Sequence, residues 1–372
     1  MVLVDKNIFP RDKPCGGALS ALAVDCLTGM GLDGWAQRYP AWQELRFFGP
    51  RGRQVGLDMR GRRRGGYFIP RFELDAALCE AATGAGVRLL QGVPVTGASI
   101  EARWVSLQAA GDVPRAKILI LAEGAVTALA DSLRLTKYGP NYMAVRAIYQ
   151  YEGPAAAELH FLPGVLPCTA WAYPAGAGRV SVGLAGELRD INAGRLNLEA
   201  ALADFVERHA LGGALAGKEA VVPLAAAPIR SRLGSVRPYG TRVLLAGEAA
   251  GVVHPMTLQG IGAAMESGRI VAQHALYALE KGQFGARDLS AYALALQRRF
   301  GVEYRAARAL NILLHSERVI ERLIGRAQRD PGFASLMASV YVGTQSALGT
   351  LTPANLGRYL MWWRQPRRRR RG

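Results

Sequence analysis

The chain has 372 residues, of which 50% are hydrophobic and 20% charged. This composition excludes a disordered chain, and the length suits about two ordinary domains. The formal net charge is +17, but only six of the 46 basic residues are lysines, so the excess is almost entirely arginine. Because an arginine excess in an alanine- and glycine-rich chain is typical of G+C-rich genomes, the charge alone does not predict a polyanionic partner.

Location and metal chemistry are restricted by what the chain lacks. No stretch reaches the roughly 18–20 consecutive apolar residues of a transmembrane helix, and Met1 is followed directly by Val2-Leu3-Val4-Asp5, without the features of a signal peptide. The cysteines have neither CxxC spacing nor histidine partners, which predicts no metal site, no disulfide framework and a cytoplasmic location. These cysteines are Cys15, Cys26, Cys79 and Cys168.

The positive charge is concentrated near the C-terminus. Trp362 and Trp363 are followed by an arginine run at 367–371, and an aromatic pair beside cations suits an anionic membrane surface. We expect either peripheral membrane contact or a solvated tail. The same arginines, with a second cluster at 60–64, would also suit nucleic acid, although we do not expect that partner.

The first third of the chain alternates strand-like and helix-like segments. Residues 1–5 are four apolar residues closed by Asp5, which predicts a short buried strand. The segment 117–122 is apolar throughout, as expected for a strand buried on both faces. The other predicted elements are a loop at 8–17, a helix at 19–30, strands or a hairpin at 44–57, a helix at 73–85 and strands at 87–90, 99–110 and 116–122.

The middle of the chain differs, because β-prone alternation with many Gly and Pro residues predicts a mostly antiparallel domain inserted into an α/β unit. An apolar strand at 243–246 and a long helix at 260–280 then resume the α/β pattern, and 288–363 is helical. The elements predicted for the middle are strands at 144–151, 170–174 and 179–185 and a helix at 198–209.

Three segments have residues suited to binding a ribose or a flat ring. Asp5 closes a strand, where an acid can accept hydrogen bonds from ribose hydroxyls, although many strands end in aspartate. The loop Arg11–Gly17 reads Arg-Asp-Lys-Pro-Cys-Gly-Gly; its proline fixes the turn and its glycines let a ring approach the backbone. Glu248 follows a buried strand, and Gln259–Gly262 opens a helix whose free N–H groups favour an electron-rich group.

In this order, the segments resemble the geranylgeranyl reductase family of FAD-dependent oxidoreductases, within the p-hydroxybenzoate hydroxylase-like superfamily. Lys-Pro-Cys-Gly-Gly at 13–17 is specific to the family, whereas Gly-acid-Ala-Ala-Gly at 247–251 marks the superfamily. The resemblance covers essentially the whole chain. It implies an α/β fold: an N-terminally truncated, FAD-binding Rossmann-like domain with an inserted, mostly antiparallel β substrate domain and C-terminal helices. The matching segments are 9–17, 70–78, 122–125, 247–251, 255–268 and, more weakly, 329–343.

The elements and the resemblance together predict the domain boundaries. The FAD-binding domain is interrupted by the substrate domain and followed by helices and a basic tail. The boundaries are 1–135 for the first FAD-binding part, with 40–70 contributing to the substrate side, 136–235 for the β-rich substrate domain, 236–285 for the second FAD-binding part, 286–363 for the helical region and 364–372 for the tail.

The resemblance also implies roles for individual residues. Cys15 would lie beside the flavin and is the candidate nearest the reacting centre. Aromatic residues at 166–174, where the family has Pro-x-x-Tyr-x-Trp-x-Phe-Pro, would line a channel for a prenyl chain; ordinary core aromatics are the alternative. The implied cofactor-binding residues are Asp5 and Val95 on the adenosine side, Arg71, Cys15, Gly16, Gly247, Glu248 at the ribityl chain, and Gly260 and Ile261 at the pyrimidine end; the implied channel residues are Trp171, Tyr173 and Pro174.

Several positions depart from the family pattern. Glu123 and Glu248 replace aspartates, which moves each carboxylate by more than about 1 Å and requires the loop to adjust or a hydrogen bond to lengthen. Leu258 replaces a glycine where the backbone would pass the flavin. No GxGxxG precedes Asp5, so the expected truncation spans roughly 30 residues of strand, glycine loop and helix, from a mis-assigned start, gene fragmentation or a genuine remnant.

The resemblance implies that reduced FAD is used to reduce C=C bonds of a polyprenyl group on a lipid, quinone or chlorophyll-type molecule, with NADPH or reduced ferredoxin as electron donor. Two alternatives stay open: a flavin monooxygenase of the same superfamily, and a non-catalytic remnant that binds lipid or nucleic acid. The remaining tempting residues have no partner at ligand spacing, so we expect structural roles for them. They are His254, His274 and His315.

Overall fold

The computed structural model describes residues 1–60, 66–153 and 156–348. Within these ranges the strands are, in chain order, β1 (Val2–Val4), β2 (Glu44–Phe48), β3 (Gln54–Asp58), β4 (Arg88–Leu90), β5 (Val95–Ile100), β6 (Val105–Ala109), β7 (Leu119–Leu121), β8 (Tyr142–Gln150), β9 (Ala157–His160), β10 (Ala170–Pro174), β11 (Arg179–Glu187), β12 (Ala220–Ile229), β13 (Tyr239–Gly240) and β14 (Val243–Leu245). The α-helices are α1 (Ala21–Gly29), α2 (Asp33–Ala36), α3 (Arg71–Gly84), α4 (Ala128–Ser132), α5 (Leu188–Asn192), α6 (Leu198–Arg208), α7 (Ile261–Lys281), α8 (Ala291–Leu296), α9 (Val302–Leu313), α10 (Glu317–Ala327) and α11 (Pro331–Val342).

The largest sheet has seven strands in the order β12-β8-β11-β10-β9-β2-β3. Neighbouring strands are antiparallel except β2 and β9, which are parallel. The hairpin predicted at 44–57 is present as β2 and β3, and it joins the same sheet as the β-prone middle of the chain. This mostly antiparallel sheet agrees with the predicted fold class.

Two smaller sheets contain the parallel pairs expected of an α/β unit, β1 with β4 and β7 with β14. Both β1 and β7 were expected to be buried, but Leu3 is 39% and Ile120 is 36% exposed. Among the described residues, β4 is the only strand neighbour of β1, and β14 is the only strand neighbour of β7. The predicted burial is therefore wrong at Leu3 and at Ile120.

The helices predicted at 19–30, 73–85, 198–209 and 260–280 are present as α1, α3, α6 and α7, within two residues at each end. The single strand predicted at 99–110 is wrong, because this region contains the end of β5, a turn and β6, and β5 begins at Val95. The chain reverses between Glu101, whose N–H donates to the carbonyl of Trp104, and the start of β6. The alternating pattern continues through both strands, so it concealed the turn between them.

The two faces of the seven-stranded sheet have different coverings. Alternate residues along a strand point to opposite faces. The back face includes Ala172 and Val182 and packs against α6. The front face includes Leu159, Trp171 and Tyr173 and packs against α10 and α11. The C-terminal helices α10 and α11 therefore bound the front face.

Candidate functional site

The loop at 11–17 lies against the front face of the large sheet. A Cβ atom added to Gly16 would lie 3.1 Å from Trp171 Nε1 and 3.1 Å from two ring carbons of Tyr173. At Gly17, φ is +75°, and an added Cβ would lie 3.0 Å from the carbonyl oxygen of Ile69. These contacts explain the two successive glycines, because the first has no space for a side chain and the second has a left-handed backbone.

An aromatic cluster surrounds this contact. Tyr173 packs on Phe68 at 5.4 Å between ring centroids, and Trp42 packs on Phe68 at 4.7 Å. The hydroxyls of Tyr173 and Tyr341 are 2.5 Å apart, which connects β10 to α11. Burial raises the pKa of Tyr341 to about 12 and that of Tyr173 well above its ordinary value, so both phenols hold their protons at neutral pH.

Cys15 is next to a buried charge cluster. Arg71, the first residue of α3, donates two hydrogen bonds of 2.7 Å to Asp75 one turn later, and Arg11 donates a third of 2.7 Å. Burial disfavours the charged guanidinium, yet the hydrogen bonds to Asp75 and the neighbouring Cys15 outweigh it and raise the pKa of Arg71. The predicted residues Cys15 and Arg71 are thus close together, which their separation in sequence did not require.

Lys13 connects the same loop to Glu248. Its Nζ lies 3.8 Å from Glu248 Oε2, and Glu248 Oε1 accepts a hydrogen bond of 2.9 Å from the N–H of Arg230. Burial raises the pKa of Glu248, and Lys13 and that N–H oppose the shift. The added methylene of Glu248 is accommodated by these contacts, and among the described residues its Oε2 has only the longer contact with Lys13.

The second predicted glutamate, Glu123, has a helix-capping position. Its Oε1 accepts a hydrogen bond of 2.9 Å from the N–H of Leu129, and its Oε2 accepts one of 3.1 Å from the N–H of Ala130. Both N–H groups belong to the first turn of α4, where donors have no partner within the helix. The longer side chain therefore reaches the helix start, and both oxygens of this partly buried carboxylate accept a hydrogen bond.

The segment that precedes α7 is shaped by close packing. Gly247 has φ +64°, and its N–H donates a hydrogen bond of 2.8 Å to Ser267 Oγ on α7. A Cβ added to Gly260 would lie 3.1 Å from Val253 Cγ2, and no side chain caps the helix that begins at Ile261. The N-terminus of α7 therefore keeps free N–H groups beside glycine backbone.

Leu258 has a left-handed backbone, with φ of +55°. A non-glycine residue in this region costs roughly 1–2 kcal/mol. The sequence predicted lost freedom at this position, and the structure has the side chain partly buried against the back-face core. The strain is local to the turn before α7, where the loop passes from His254 to Gly260.

The resemblance predicts Asp5 and Val95 on the adenosine side of FAD, and Asp5 directly follows β1. Asp5 Oδ1 accepts hydrogen bonds of 2.8 and 3.0 Å from the backbone and side chain of Asn7. Val95 begins β5 and packs partly buried against the core of the α/β region. Asp5 and Asp75 both raise the pKa of Cys79, after the larger effect of burial, so Asp5 is near the Arg71 cluster.

Pro174 is separated from the other two predicted channel residues. Trp171 and Tyr173 point to the front face, whereas alternation puts Pro174 on the back face with Ala170 and Ala172. Tyr173 and Pro174 are neighbours on one strand, so their side chains must point to opposite faces.

The residues present fit a bound FAD at its flavin end. Gly16 and Gly260 keep the backbone free of side chains, α7 offers an uncapped N-terminus, and Glu248 Oε2 has acceptor capacity left. Backbone without side chains suits the flat flavin ring, and free N–H groups suit its carbonyl oxygens. The carboxylate suits the hydroxyls of the ribityl chain. Within residues 1–60, 66–153 and 156–348, no group of three or more His, Cys, Asp or Glu side chains could hold a metal ion.

The sequence reasoning missed three residues at this site. Lys13 and Tyr341 form the contacts described above, and Arg146 donates a hydrogen bond of 2.6 Å to Asp12 of the loop. Arg146 could have been found from the sequence, because it is a charged residue within the largely apolar predicted strand 144–151. Tyr341 had none, because 168 residues separate it from Tyr173.

Neighbouring side chains lie close to each of the three histidines for which we expect structural roles. His254 Nε2 lies 3.6 Å from Glu303, His274 packs edge-on to Tyr292, and His315 Nε2 lies 3.0 Å from Arg189.

The C-terminal tail, with Trp362 and Trp363, and the arginines at 62–64 lie outside the described residues. In the part of the chain that is described, no helix is long and apolar enough to cross a membrane.

No family model matches the chain, but known proteins are similar to it in sequence. A menaquinone reductase of Mycobacterium tuberculosis is 29% identical over 329 residues, which is 84% of this chain and 78% of that protein. A digeranylgeranylglycerophospholipid reductase of Methanopyrus kandleri is 27% identical over 326 residues, 84% of each chain.

Solved structures give the same fold. A geranylgeranyl bacteriochlorophyll reductase-like protein of Thermoplasma acidophilum has a TM-score of 0.77 at 20% identity and covers 87% of this chain and 84% of its own. The flavin-dependent brominase Bmp2 has a TM-score of 0.73 at 16% identity and covers 97% and 92%. The resemblance to geranylgeranyl reductase-like oxidoreductases is confirmed, and the fold is that of FAD-dependent enzymes.

Proposed function

We propose that this chain is an FAD-dependent oxidoreductase that reduces C=C bonds of a polyprenyl group on a lipid or quinone. The observation that carries the proposal is the close approach of the Gly16 backbone to the rings of Trp171 and Tyr173, where an added Cβ would lie 3.1 Å from both side chains. It combines a side-chain-free approach for a flat cofactor with apolar rings for a prenyl chain. The names of the relatives, a menaquinone reductase and a digeranylgeranylglycerophospholipid reductase, support this substrate class.

Residues from several described segments of the chain would hold the cofactor. Gly16, Glu248, Gly260 and Ile261 would hold its flavin half, and when bound it would supply the hydride for the reduction. The adenosine half would lie toward Asp5, Arg71 and Val95. Lys13 neutralises part of the charge of Glu248, so this carboxylate can be buried beside the ring without an isolated charge.

The side chains around the site would orient the prenyl chain and exclude water. The aromatic cluster supplies apolar surface, with Phe68 1% and Trp42 2% exposed. Tyr173 and Tyr341 keep their hydroxyl protons, because burial raises the pKa of both. Cys15 is the candidate catalytic residue, since its thiol lies between the glycine loop and Arg71, within reach of a group that lies on the loop.

The electron donor would be NADPH or reduced ferredoxin. We place the protein in the cytoplasm, with peripheral contact between the basic tail and the inner face of the membrane, because a prenylated lipid is dissolved in the bilayer. The arginine and tryptophan residues of that tail supply the charge and the interfacial rings for such contact.

The decisive experiment is to purify the chain with FAD, record its visible absorbance and incubate it with a chemical reductant and geranylgeranyl-bearing lipids or menaquinone. We expect a flavin spectrum and products heavier by two hydrogens per double bond. The similarity to a flavin-dependent brominase favours an oxygen-using flavoenzyme as the rival. Oxygen consumption coupled to a hydroxylated product would support the monooxygenase, and a colourless protein that still binds lipid would support a non-catalytic role.

A further inference from the structure

Three side chains on the front face of the large sheet have buried donor atoms without hydrogen-bond partners. Arg146, on β8, is 2% exposed, and its Nε and Nη1 have no partner. Ser181 Oγ, on β11, and Trp171 Nε1, on β10, are also buried and unpartnered. Native proteins pair nearly all such groups, so a cluster of them on one surface indicates that a ligand atom completes the hydrogen bonds.

The sheet register brings the three side chains onto one surface. Trp171 pairs with Gly183, and Gly183 pairs with Arg146, so the three positions form a row across adjacent strands. A side chain at Gly183 would overlap the indole of Trp171, so the glycine lets the ring lie over the sheet between β10 and β8. Ser181 lies two residues along β11 on the same face, opposite Tyr173.

The surrounding charges select the kind of atom that fits. Arg146 Nη2 donates to Asp12 Oδ2 at 2.6 Å, so one carboxylate already balances the guanidinium charge. The flanking front-face residues on β8 are Ala144 and Ile148, which add neither charge nor hydrogen-bonding side chains. An anion would bring a second negative charge close to the carboxylate of Asp12, which is 49% exposed, whereas a neutral oxygen would accept from the free N–H and O–H donors without that repulsion.

We propose that Arg146, Ser181 and Trp171 receive a neutral carbonyl-type oxygen of the substrate head group, so that Arg146 selects prenylated quinones over prenyl phosphates. The inference rests on the proposed function, since it assumes that a prenylated substrate enters at Trp171. The loop with Asp12 also includes Cys15 and Gly16, so a head group held by Arg146 is anchored beside the proposed flavin-binding backbone.

The test compares ligands that differ only in the head group. The full chain loaded with FAD is titrated with a short-chain menaquinone, with geranylgeranyl phosphate and with squalene, a polyprenyl hydrocarbon without oxygen, and flavin absorbance reports binding. Arg146→Met should weaken menaquinone binding by about tenfold or more, since a hydrogen bond to a charged donor is lost, and should change squalene binding by less than about twofold. Arg179→Met, at an exposed position on β11, is the matched control and should change neither.

Two further variants make the inference falsifiable if Arg146→Met does not fold. Ser181→Ala should weaken menaquinone binding by about threefold to fivefold without affecting squalene. Asp12→Asn leaves the guanidinium charge unbalanced and should strengthen geranylgeranyl phosphate binding relative to menaquinone.

Equal weakening of menaquinone and squalene by the Arg146 and Ser181 substitutions would overturn the inference, as would wild-type preference for the phosphate. So would a drop in FAD affinity, since the isoalloxazine ring also has carbonyl oxygens that these donors could reach. A wild-type chain that binds FAD but no polyprenyl ligand would instead overturn the proposed function.

Discussion

Buried polar groups are paired on the back face of the seven-stranded sheet, whereas on its front face some of them have no hydrogen-bond partner. On the back face, Glu158 and His160 are 2% and 4% exposed, and both are paired. His160 Nε2 lies 3.0 Å from Glu158 Oε2, which also accepts a hydrogen bond of 3.0 Å from the N–H of Leu211. On the front face, Arg146 and Ser181 are equally buried but keep unpartnered donors.

The packing against the two faces of the sheet also differs. His160 is stacked between the ring of Phe48, at 4.1 Å, and the edge of Phe205 from α6, at 4.8 Å, so aliphatic and aromatic contacts close the back face. The front face meets a glycine loop and C-terminal helices around Trp171. The back face is a core with paired polar groups, and we propose that the part of the front face under the glycine loop binds a ligand, although the same face also packs against α10 and α11. We therefore expect substitutions on the back face to lower stability and substitutions under the loop to weaken binding.

The largest expected effect is on the back face. Phe205 is fully buried, and Phe205→Ala should lower the free energy of unfolding by about 3–5 kcal/mol, because a large cavity is left in the core. Urea denaturation followed by circular dichroism measures it. FAD and substrate affinity of the folded fraction should stay within about twofold of wild type. A selective loss of substrate affinity with unchanged stability would contradict the distinction between the faces.

Next comes the front face. Gly16→Leu puts a side chain where even a Cβ lies 3.1 Å from Trp171 and Tyr173, so it should fill the space between the loop and the rings. We expect about 100-fold weaker FAD binding, equivalent to about 2.7 kcal/mol, measured by flavin absorbance and fluorescence titration. Gly29→Leu, at the end of α1 with no atom within 4 Å of an added Cβ, is the matched control. Wild-type FAD affinity in Gly16→Leu would remove this loop from the site.

A smaller effect is the acid sensitivity of the back-face dyad. Burial lowers the pKa of His160, with Glu158 opposing and His209 reinforcing the shift. The native state therefore binds fewer protons than the unfolded chain below the ordinary histidine pKa of about 6.5, and stability falls as pH drops below that value, by at most about 1.36 kcal/mol per pH unit. The comparison is between thermal unfolding of wild type and His160→Phe from pH 7 to pH 5.

We expect the stability difference between the two proteins to change in favour of His160→Phe as pH falls. A constant difference across this range would mean that the histidine does not titrate differently in the folded and unfolded states.

The smallest expected effect is at the turn that joins β10 to β11 and so belongs to neither face. Ala177 is exposed and has φ +49°, where glycine is favoured, so Ala177→Gly should raise the free energy of unfolding by up to about 1 kcal/mol. Ala203→Gly, exposed on α6, should instead lower it by about 1 kcal/mol. Chemical denaturation measures both, and the same sign for the two variants would refute the argument from backbone conformation.

The sequence by itself determined the long helices and many of the strands, although it predicted neither β9 nor β12. The periodicities of α1, α3, α6 and α7 predicted helices within two residues, and the glycine and proline residues of 11–17 predicted a backbone open to a flat ring. These features depend on hydrogen bonds and steric limits between neighbours in the chain, so they can be read locally. The hairpin of β5 and β6 was missed because two strands in succession share one alternating pattern.

The tertiary structure alone decided which residues meet. Arg146 and Asp12 are 134 residues apart, and no local rule selects that pair or leaves the other donors of Arg146 unpartnered. Strand pairing and packing put Trp171 and Tyr173 on the face that the glycine loop contacts, whereas their separation from Pro174 follows from alternation along β10 alone. Such pairings are fixed by the packing of whole sheets and helices, which is why the sequence named the loop and the rings but not the polar surface between them.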